Sequence, residues 1–387
     1  MRKHKPFPTT KLGFELRTPT SQLSERGAGP EYKVPTVQQW NLTLQFTPLR
    51  GLTLDVGYVG SHGTHLHAFR DRSLNQPSLA SPGHPVNCGL PNTAAGLGVS
   101  SAQFAVLGID ASGCVTINTA KNAYLRVPFV GESPTALQYN DDFGLSSYNG
   151  LQTTLRKQVA HGVSFQASYT FSKSFSNTGE WMNDQNSPRS NWNRTNRVHR
   201  VVFSYSYEIP AMLRSTAIVG KLLAGWSISG VTSVQSGAPL TLTDRRAGSV
   251  YGRTGVASIT LCPGATYQGI QTIGQESTRL NQWFNKQAIC TAPVVGSDGL
   301  ATGYGNTGQS IINGPGQNDW DVSLGKATRI GGIHEDAQLQ LRVEFYNALN
   351  HPQFANPGTT FGTASFGVIT QTSVAPRLIQ FGAKYVF

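Results

Sequence analysis

Three histidines, His62, His65 and His67, stand close together in the first fifth of the chain. Imidazole is a common ligand of Zn²⁺ and Cu²⁺, and residues two apart in a strand share a face, so His65 and His67 could bind one ion. No Asp, Glu or Cys stands at ligand spacing to complete such a site. We therefore interpret these histidines as the polar stem of a loop, and we expect neither a metal nor a cofactor.

The four cysteines lack the CxxC spacing of zinc or redox sites. Cys88 and Cys114 share one aperiodic stretch, and Cys262 and Cys290 share another. We expect each of these two pairs to form a disulfide that braces its own loop, as an oxidising compartment permits.

The sequence offers little for catalysis. Ser, His and Asp are present, but without a GxSxG nucleophile elbow or a pair of carboxylates in a catalytic setting. Two carboxylate pairs, Asp141 with Asp142 and Asp319 with Asp321, could hold Ca²⁺, although solvated turns are the favoured interpretation. We expect no enzymatic activity; a barrel-embedded hydrolase is a further alternative.

The net charge is 31 − 20 = +11, which raises the question of a nucleic-acid partner. After the first five residues no run of Lys or Arg exceeds two, and no groove-binding motif is present. We therefore expect no nucleic-acid partner. A basic surface that faces anionic outer-leaflet lipid accounts for the charge equally well.

Apolar and polar residues alternate in nine segments, a pattern that predicts β-strands. The clearest case is residues 163–172, where Val, Phe, Ala, Tyr and Phe alternate with Ser, Gln, Ser, Thr and Ser. Between the segments the connections are alternately short and long. The short ones are residues 47–51, 157–162, 210–225 and 327–336, and the long ones are 61–147, 173–196, 237–318 and 348–376.

No segment of the chain is apolar enough for a transmembrane helix, because the most apolar run, residues 211–226, contains Arg214 and Lys221. A membrane β-strand needs only one apolar face, so a mean hydropathy of −0.25 is compatible with a membrane barrel. We predict an all-β fold, part of an antiparallel transmembrane β-barrel of about 9–10 strands with long extracellular loops and short periplasmic turns. A secreted soluble β-protein is the alternative.

The predicted barrel portion covers residues 36–387. Residues 1–35 form a polar N-terminal segment with one weak strand signal at 10–17. Four loop aromatics, Trp181, Trp192, Trp283 and Phe284, stand among Asn and Gln. Exposed aromatics suit the capture of a carbohydrate or a peptide, and they equally suit loops that fold over the barrel mouth.

The last eleven residues, 377–387, alternate strictly and end on an aromatic residue. This segment resembles the C-terminal strand of bacterial outer-membrane barrels. The resemblance implies that Phe381, Tyr385 and Phe387 form the signal read by the barrel-assembly machinery. It also implies location in a Gram-negative outer membrane, contact with outer-membrane lipid and lipopolysaccharide, and a periplasmic C-terminus.

Several segments together resemble the C-terminal barrel of Oar-like TonB-dependent receptors, the type with a carboxypeptidase-regulatory-like domain that is common in Acidobacteria. These segments are residues 37–42, 56–65, 148–152, 167–174, 222–230, 236–240, 313–316, 321–324, 342–351 and 377–387. The resemblance implies the wall and extracellular mouth of a receptor for a large substrate, an oligosaccharide or a peptide.

The chain shows no stretch that resembles a signal peptide, a TonB box or a plug domain. We therefore expect it to be the C-terminal piece of a longer receptor, with TonB acting only through a plug that is absent from this chain. The alternative is a self-sufficient barrel, either a passive porin or a scaffold for surface adhesion.

Overall fold

A computed structural model describes residues 25–28, 33–67, 72–73, 75–130, 134, 137–140, 142–178, 192–210, 222–252, 257–330 and 337–387. Nine long strands dominate it and together are called the wall here. They are β1 Thr36–Leu49, β2 Leu52–Leu66, β3 Gly144–Ala160, β4 Val163–Ser176, β5 His199–Glu208, β6 Trp226–Gln235, β7 Gln317–Arg329, β8 Gln338–Tyr346 and β9 Leu378–Val386.

Each wall strand pairs antiparallel with the next one along the chain, so the sheet is a simple up-and-down meander. A two-residue strand, Asn193–Arg194, adds to the end of β4. In the part of the chain that the structure describes, no strand pairs with the free side of β1 or of β9. The predicted nine strands and the all-β antiparallel fold are confirmed.

Strand alternation gives the wall two faces of different chemistry. The apolar face carries the aromatic and aliphatic side chains, and cross-strand partners such as Phe165 with Tyr205 keep this face continuous from strand to strand. The polar face carries charges that pair with each other. Asp55 contacts Arg156 at 2.5 Å and accepts from Gln45 at 2.7 Å, and Arg342 contacts Glu344 at 2.7 Å.

The tight turns of the wall follow from local backbone chemistry. Between β3 and β4, His161 (φ 55°) and Gly162 (φ 78°) are both left-handed, as the turn of a two-residue hairpin requires. A Cβ on Gly162 would also meet the backbone oxygen of Glu208 at 2.4 Å. A different constraint acts at Gly60 in β2, where a Cβ would lie 2.1 Å from Trp40 Nε1. The indole ring of Trp40 therefore occupies the space that a side chain at position 60 would need.

The long connections of the wall contain short regular elements. Their strands are Arg72–Ser73, Leu137–Asn140, Pro239–Leu240, Thr243–Asp244, Ala257–Ser258, Thr260–Leu261, Ile289–Cys290, Ile312–Asn313 and Thr360–Phe361. Their helices are the α-helices Ser101–Ala105 and Tyr267–Ile270 and the 3₁₀ turns Ala123–Leu125, Ser249–Tyr251, Glu276–Thr278 and Lys286–Ala288. None of the described helices is long and apolar enough to cross a membrane.

The strand boundaries differ from expectation at the end that carries the long connections. Residues 61–66 extend β2 and residues 144–147 extend β3, whereas the sequence pattern predicts a loop over 61–147. Of the N-terminal segment, the weak strand signal at 10–17 lies outside the described residues. Glu25–Ala28, which is described, pairs in parallel with Leu137–Asn140.

Candidate functional site

The long connections fold into a body of their own at one end of the wall, called the cap here. It comprises the described residues of 75–130, 192–198, 236–316 and 347–377. The first lobe of the cap is residues 75–130. Its interior contains Ala80, Leu97, Leu107, Val115 and Leu125, all buried.

A disulfide joins Cys88 to Cys114 inside the first lobe. Asn122 ties the lobe's interior together, because its side-chain amide donates to the backbone oxygens of Leu107 and Ile117, each at 2.9 Å. Both the buried amide of Asn122 and these two backbone oxygens therefore have hydrogen-bond partners. These bonds help to give an irregular chain segment a fixed shape.

Arg126 is fully buried where the first lobe meets the rest of the cap. Its guanidinium donates to the backbone oxygens of Ser78 (2.6 Å), Thr119 (3.2 Å) and Val250, and its Nε donates to Asn122 at 2.8 Å. Burial lowers the pKa of Arg126 to about 10, with Tyr251 acting in the opposite direction. The side chain therefore remains charged at neutral pH. Its guanidinium donates these hydrogen bonds to neutral acceptors in both loops.

The second lobe consists of residues 236–316 with the last connection packed against them. Its buried cluster is the largest in the described chain and contains Leu242, Ile259, Ile270, Trp283, Phe284, Ala288, Ile289, Ile312, Phe366 and Ile369. A disulfide joins Cys262 to Cys290 at its surface. A backbone hydrogen bond from Ser297 to Asn118 (2.8 Å) adds to Arg126 in joining the two lobes.

The cap is fastened directly to the strand ends. Gln353 is almost fully buried, and its side chain accepts from the backbone N–H of Asn318 at 2.6 Å and donates to the backbone oxygen of the same residue. The backbone N–H of Ser236 donates to the backbone oxygen of His199 in β5 at 2.9 Å, and its hydroxyl accepts from the backbone N–H of His199 at 3.1 Å. These contacts hold the cap on the ends of β5 and β7.

Two open clefts lie at the surface of the cap. The first, of about 590 Å³, lies where the second lobe meets β6 and β7; its lining includes Glu276, Gln317, Asn318, His351 and Phe354. The second, of about 530 Å³, surrounds the disulfide of the second lobe; its lining includes Thr260, Tyr267, Thr291, Pro293 and Asn306. Both volumes lie in the range of small-molecule sites.

The second cleft has an uncharged lining that is held rigidly. The Tyr267 ring is nearly half exposed, and Asn306 is fixed because its side chain accepts from the backbone N–H of Leu261 at 2.8 Å. The Oγ of Thr260 is buried without a hydrogen-bond partner. An aromatic ring, hydroxyls and amides can bind a neutral polar ligand, whereas none of these groups suits acid–base catalysis at neutral pH.

One sequence-based expectation for the cap is wrong. Trp283 and Phe284 do not stand exposed for capture; they are 5% and 1% exposed, inside the second lobe. Trp283 donates from its indole to the backbone oxygen of Asn313 at 2.8 Å and packs under Arg279 at 4.2 Å. The physical reason is that an irregular loop of this length forms its own apolar core. Tyr267, which lines the second cleft, is an exposed aromatic that the sequence pattern does not single out.

The other aromatic candidates are less constrained. Trp192 is partly exposed just before the two-residue strand that joins β4, and Trp181 lies outside the described residues. At the C-terminus, Phe381 and Phe387 are 77% and 80% exposed on the apolar face of β9, and the Tyr385 and Phe387 rings lie 5.7 Å apart.

The three histidines do not share a face. His62 lies in β2 opposite Gln38, whereas His65 has a left-handed backbone (φ 54°) that interrupts the alternation, and His67 follows the end of the strand. Within the described ranges, no three His, Cys, Asp or Glu side chains lie close enough together to hold a metal ion.

The wall is an antiparallel sheet with one lipid-compatible face, and the cap is a folded body of long loops at one end of it. Together they define the class of the protein as a membrane β-barrel. The family model of the outer membrane beta barrel domain matches residues 2–380. The chain belongs to this family, and it is a protein of the outer membrane.

Two solved receptor structures align with this chain at low identity and low TM-score. The ferric preacinetobactin receptor BauA of Acinetobacter baumannii is 10% identical, with a TM-score of 0.38 over 90% of this chain and 29% of that chain. The pyoverdine receptor FpvA of Pseudomonas aeruginosa PAO1 is 10% identical, with a TM-score of 0.36 over 91% of this chain and 30% of that chain. The chain thus spans less than a third of either receptor's length. No curated protein matches the sequence.

Proposed function

We propose that the chain forms the wall and the ligand-binding mouth of a TonB-dependent outer-membrane receptor of the Oar-like type. The substrate would be large and polar, an oligosaccharide or a peptide. The observation that carries this proposal is the cap: two lobes with their own cores, each containing a disulfide, fastened to the strand ends and opening two clefts. A simple pore has no need of so much ordered loop structure.

The proposed mechanism is binding without bond-making. Tyr267 would stack against a sugar ring or a peptide side chain, and the amide and hydroxyl groups of the two clefts would orient it. The disulfides and the buried Arg126 keep the clefts formed before the ligand arrives, so less entropy is lost on binding. Uptake would follow when TonB pulls on a plug domain inside the barrel.

Two further parts of the proposal concern assembly. The exposed aromatics of β9, Phe381, Tyr385 and Phe387, would be read by the barrel-assembly machinery. The C-terminus would then lie in the periplasm and the cap outside the cell, because long connections of such barrels are extracellular and short turns periplasmic.

The test is uptake of labelled oligosaccharide and peptide libraries by cells that carry the native gene, compared with cells that carry Tyr267→Ala or Phe354→Ala. We expect uptake that requires TonB and that falls up to about tenfold when the stacking ring is removed, in line with about 0.5–1.5 kcal/mol for a lost aromatic contact. Tyr346→Ala, outside both clefts, is the matched control.

Uptake that continues without TonB would replace the receptor with a passive pore. Surface attachment that depends on the gene, without uptake of any library member, would replace it with an adhesion scaffold.

A further inference from the structure

The two clefts of the cap differ in charge. Among the described residues that line the first cleft, Glu276 is the single carboxylate, and neither Lys nor Arg accompanies it. The described lining of the second cleft contains no Asp, Glu, Lys or Arg. A chain with a net charge of +11 therefore presents a negative lining at one of these two clefts.

Glu276 has one carboxylate oxygen fixed and the other available to a ligand. It begins the 3₁₀ turn Glu276–Thr278, and its Oε1 accepts from the backbone N–H of Gly316 at 2.9 Å. Within the described ranges no group donates to its Oε2, and no Lys, Arg or His forms an ion pair with it. The side chain is partly exposed, so the free oxygen can meet a ligand.

The arginine nearest to Glu276 in the sequence is held elsewhere. Arg279 stacks over the ring of Trp283 at 4.2 Å and donates to a backbone oxygen at 2.7 Å. Arg200, opposite Gln235 on β5, is exposed and does not line the cleft. The negative charge of Glu276 is therefore left for a partner from outside the described chain.

Neutral groups beside Glu276 favour a donor as the ligand. Gln235 donates its amide to Gln317, which leaves Gln235 Oε1 as an acceptor at the cleft. His351 Nδ1 lies 3.3 Å from the amide nitrogen of Gln353. An amide nitrogen can act as a donor and not as an acceptor, so this contact fits the neutral imidazole ring.

The rest of the first cleft is apolar. Val234, Pro352 and Phe354 line it, and Phe354 packs against the buried cluster of the second lobe. Lysine and arginine side chains combine a methylene stem with a terminal cation. An apolar surface next to a free carboxylate oxygen matches both parts of such a side chain.

We propose that the first cleft binds the lysine or arginine side chain of a peptide. The cation donates to Glu276 and to Gln235, and its stem lies against Phe354. Glucosamine also carries an ammonium group, but directly on the sugar ring, without a stem to cover the apolar lining. The inference rests on the proposed function, and it selects the peptide from the two substrate classes named there.

The experiment measures binding, which does not require TonB. Native protein extracted from outer membrane and reconstituted in nanodiscs is titrated calorimetrically with two tripeptides that are blocked at both ends. They have lysine or norleucine between two glycines, so they differ by the ammonium group. We expect the lysine peptide to bind about tenfold more tightly, which corresponds to about 1.4 kcal/mol.

Two variants assign this preference to one side chain. Glu276→Gln keeps an acceptor for Gly316 but removes the charge, so the two peptides should bind it equally. Asp298→Asn removes a charge from the same lobe outside both clefts, and it should retain the tenfold preference. A preference that survives Glu276→Gln, or that both variants lose, would overturn the inference.

The remaining outcomes separate this inference from the proposed function. Equal binding of both peptides by wild type would overturn the inference and leave a peptide receptor standing, whereas binding of neither peptide would overturn both. A glucosamine trimer that binds more tightly than the lysine peptide, and that loses this advantage in Glu276→Gln, would assign the cleft to an amino sugar and overturn the peptide.

The salt dependence of wild type tests the charge without any variant, which matters if Glu276→Gln fails to fold. The lysine preference should shrink as ionic strength rises from about 0.01 M to about 1 M, because the Debye length falls from about 30 Å to about 3 Å. A preference that salt does not change would contradict an ionic contact in this open cleft. Circular dichroism of the antiparallel sheet establishes that each variant folded.

Discussion

The wall and the cap treat apolar side chains in opposite ways. Of the buried apolar residues in the described chain, none lies in the nine wall strands; nearly all lie in the cap. The wall instead exposes Leu42, Leu44, Phe46 and Phe381, each at least half exposed. The wall therefore depends on lipid as its apolar solvent, whereas the cap carries its own interior and braces it with disulfides. The two regions should consequently respond to different perturbations.

The largest effect is expected from removal of the second-lobe disulfide, which should destabilise the cap and leave the wall unchanged. Cys262→Ser with Cys290→Ser should destabilise that lobe by about 3–4 kcal/mol, because a closed loop of 28 residues regains its unfolded-state entropy. Hydrogen exchange should rise at Ile259, Ile270 and Ile289 and stay low in β3 and β4. Exchange that rises equally in the wall would mean that the two regions are one cooperative unit.

The next substitution should destabilise the wall and leave the cap unchanged. Ala167→Arg puts a charge on the apolar face in the middle of β4 and should cost about 2–4 kcal/mol in the membrane. Ser168→Arg, its neighbour on the polar face, should cost far less. Heat-modifiable mobility in gels measures wall folding, and similar losses for the two variants would contradict the assignment of the faces.

A smaller effect is expected at the joint between the lobes. Arg126→Met keeps the side-chain bulk but leaves the backbone oxygens of Ser78, Thr119 and Val250 with one donor fewer, at a cost of about 2 kcal/mol. Limited proteolysis should then cut between the lobes while each lobe stays intact. Arg246→Met, at a side chain that is 60% exposed, is the control and should not change the cleavage pattern.

The smallest effect depends on pH. Burial alone would raise the pKa of Asp298, but backbone N–H groups, including those of Leu300 and Ala301 at 2.9 Å each, outweigh it and lower the pKa. The stabilisation is present above the unfolded-state pKa and is lost as the pH falls through the lower folded-state value. Amide protection at Leu300 and Ala301 should therefore drop below about pH 4. Asp298→Asn should show no such step.

The wall was predictable because a strand with one lipid-facing side leaves a period of two in its sequence. β4 shows this best, since its alternation from Val163 to Ser172 gave both the strand and its faces. The strand ends were less predictable because β2 and β3 continue beyond the apolar band into residues with no hydrophobic contrast, such as Ser61 and Ser146.

The cap could not be predicted because its core has no period. Leu242, Ile259, Ile270 and Phe366 come from separate turns and meet only through tertiary packing. The same lack of pattern placed Trp283 and Phe284 wrongly at the surface. The Cys262 and Cys290 pair was the available signal: two cysteines in one aperiodic segment indicate a loop with a fixed shape, and a fixed shape requires an interior.

The number of wall strands has a consequence for strand direction. Eight antiparallel steps separate β1 from β9, so the two edge strands run the same way. Direct contact between these edges would create one parallel seam in an otherwise antiparallel ring. An odd number of intervening strands restores opposite directions at both seams and makes the total even, as is usual for bacterial barrels. Any polypeptide that closes this wall without a parallel seam must therefore contribute an odd count of strands.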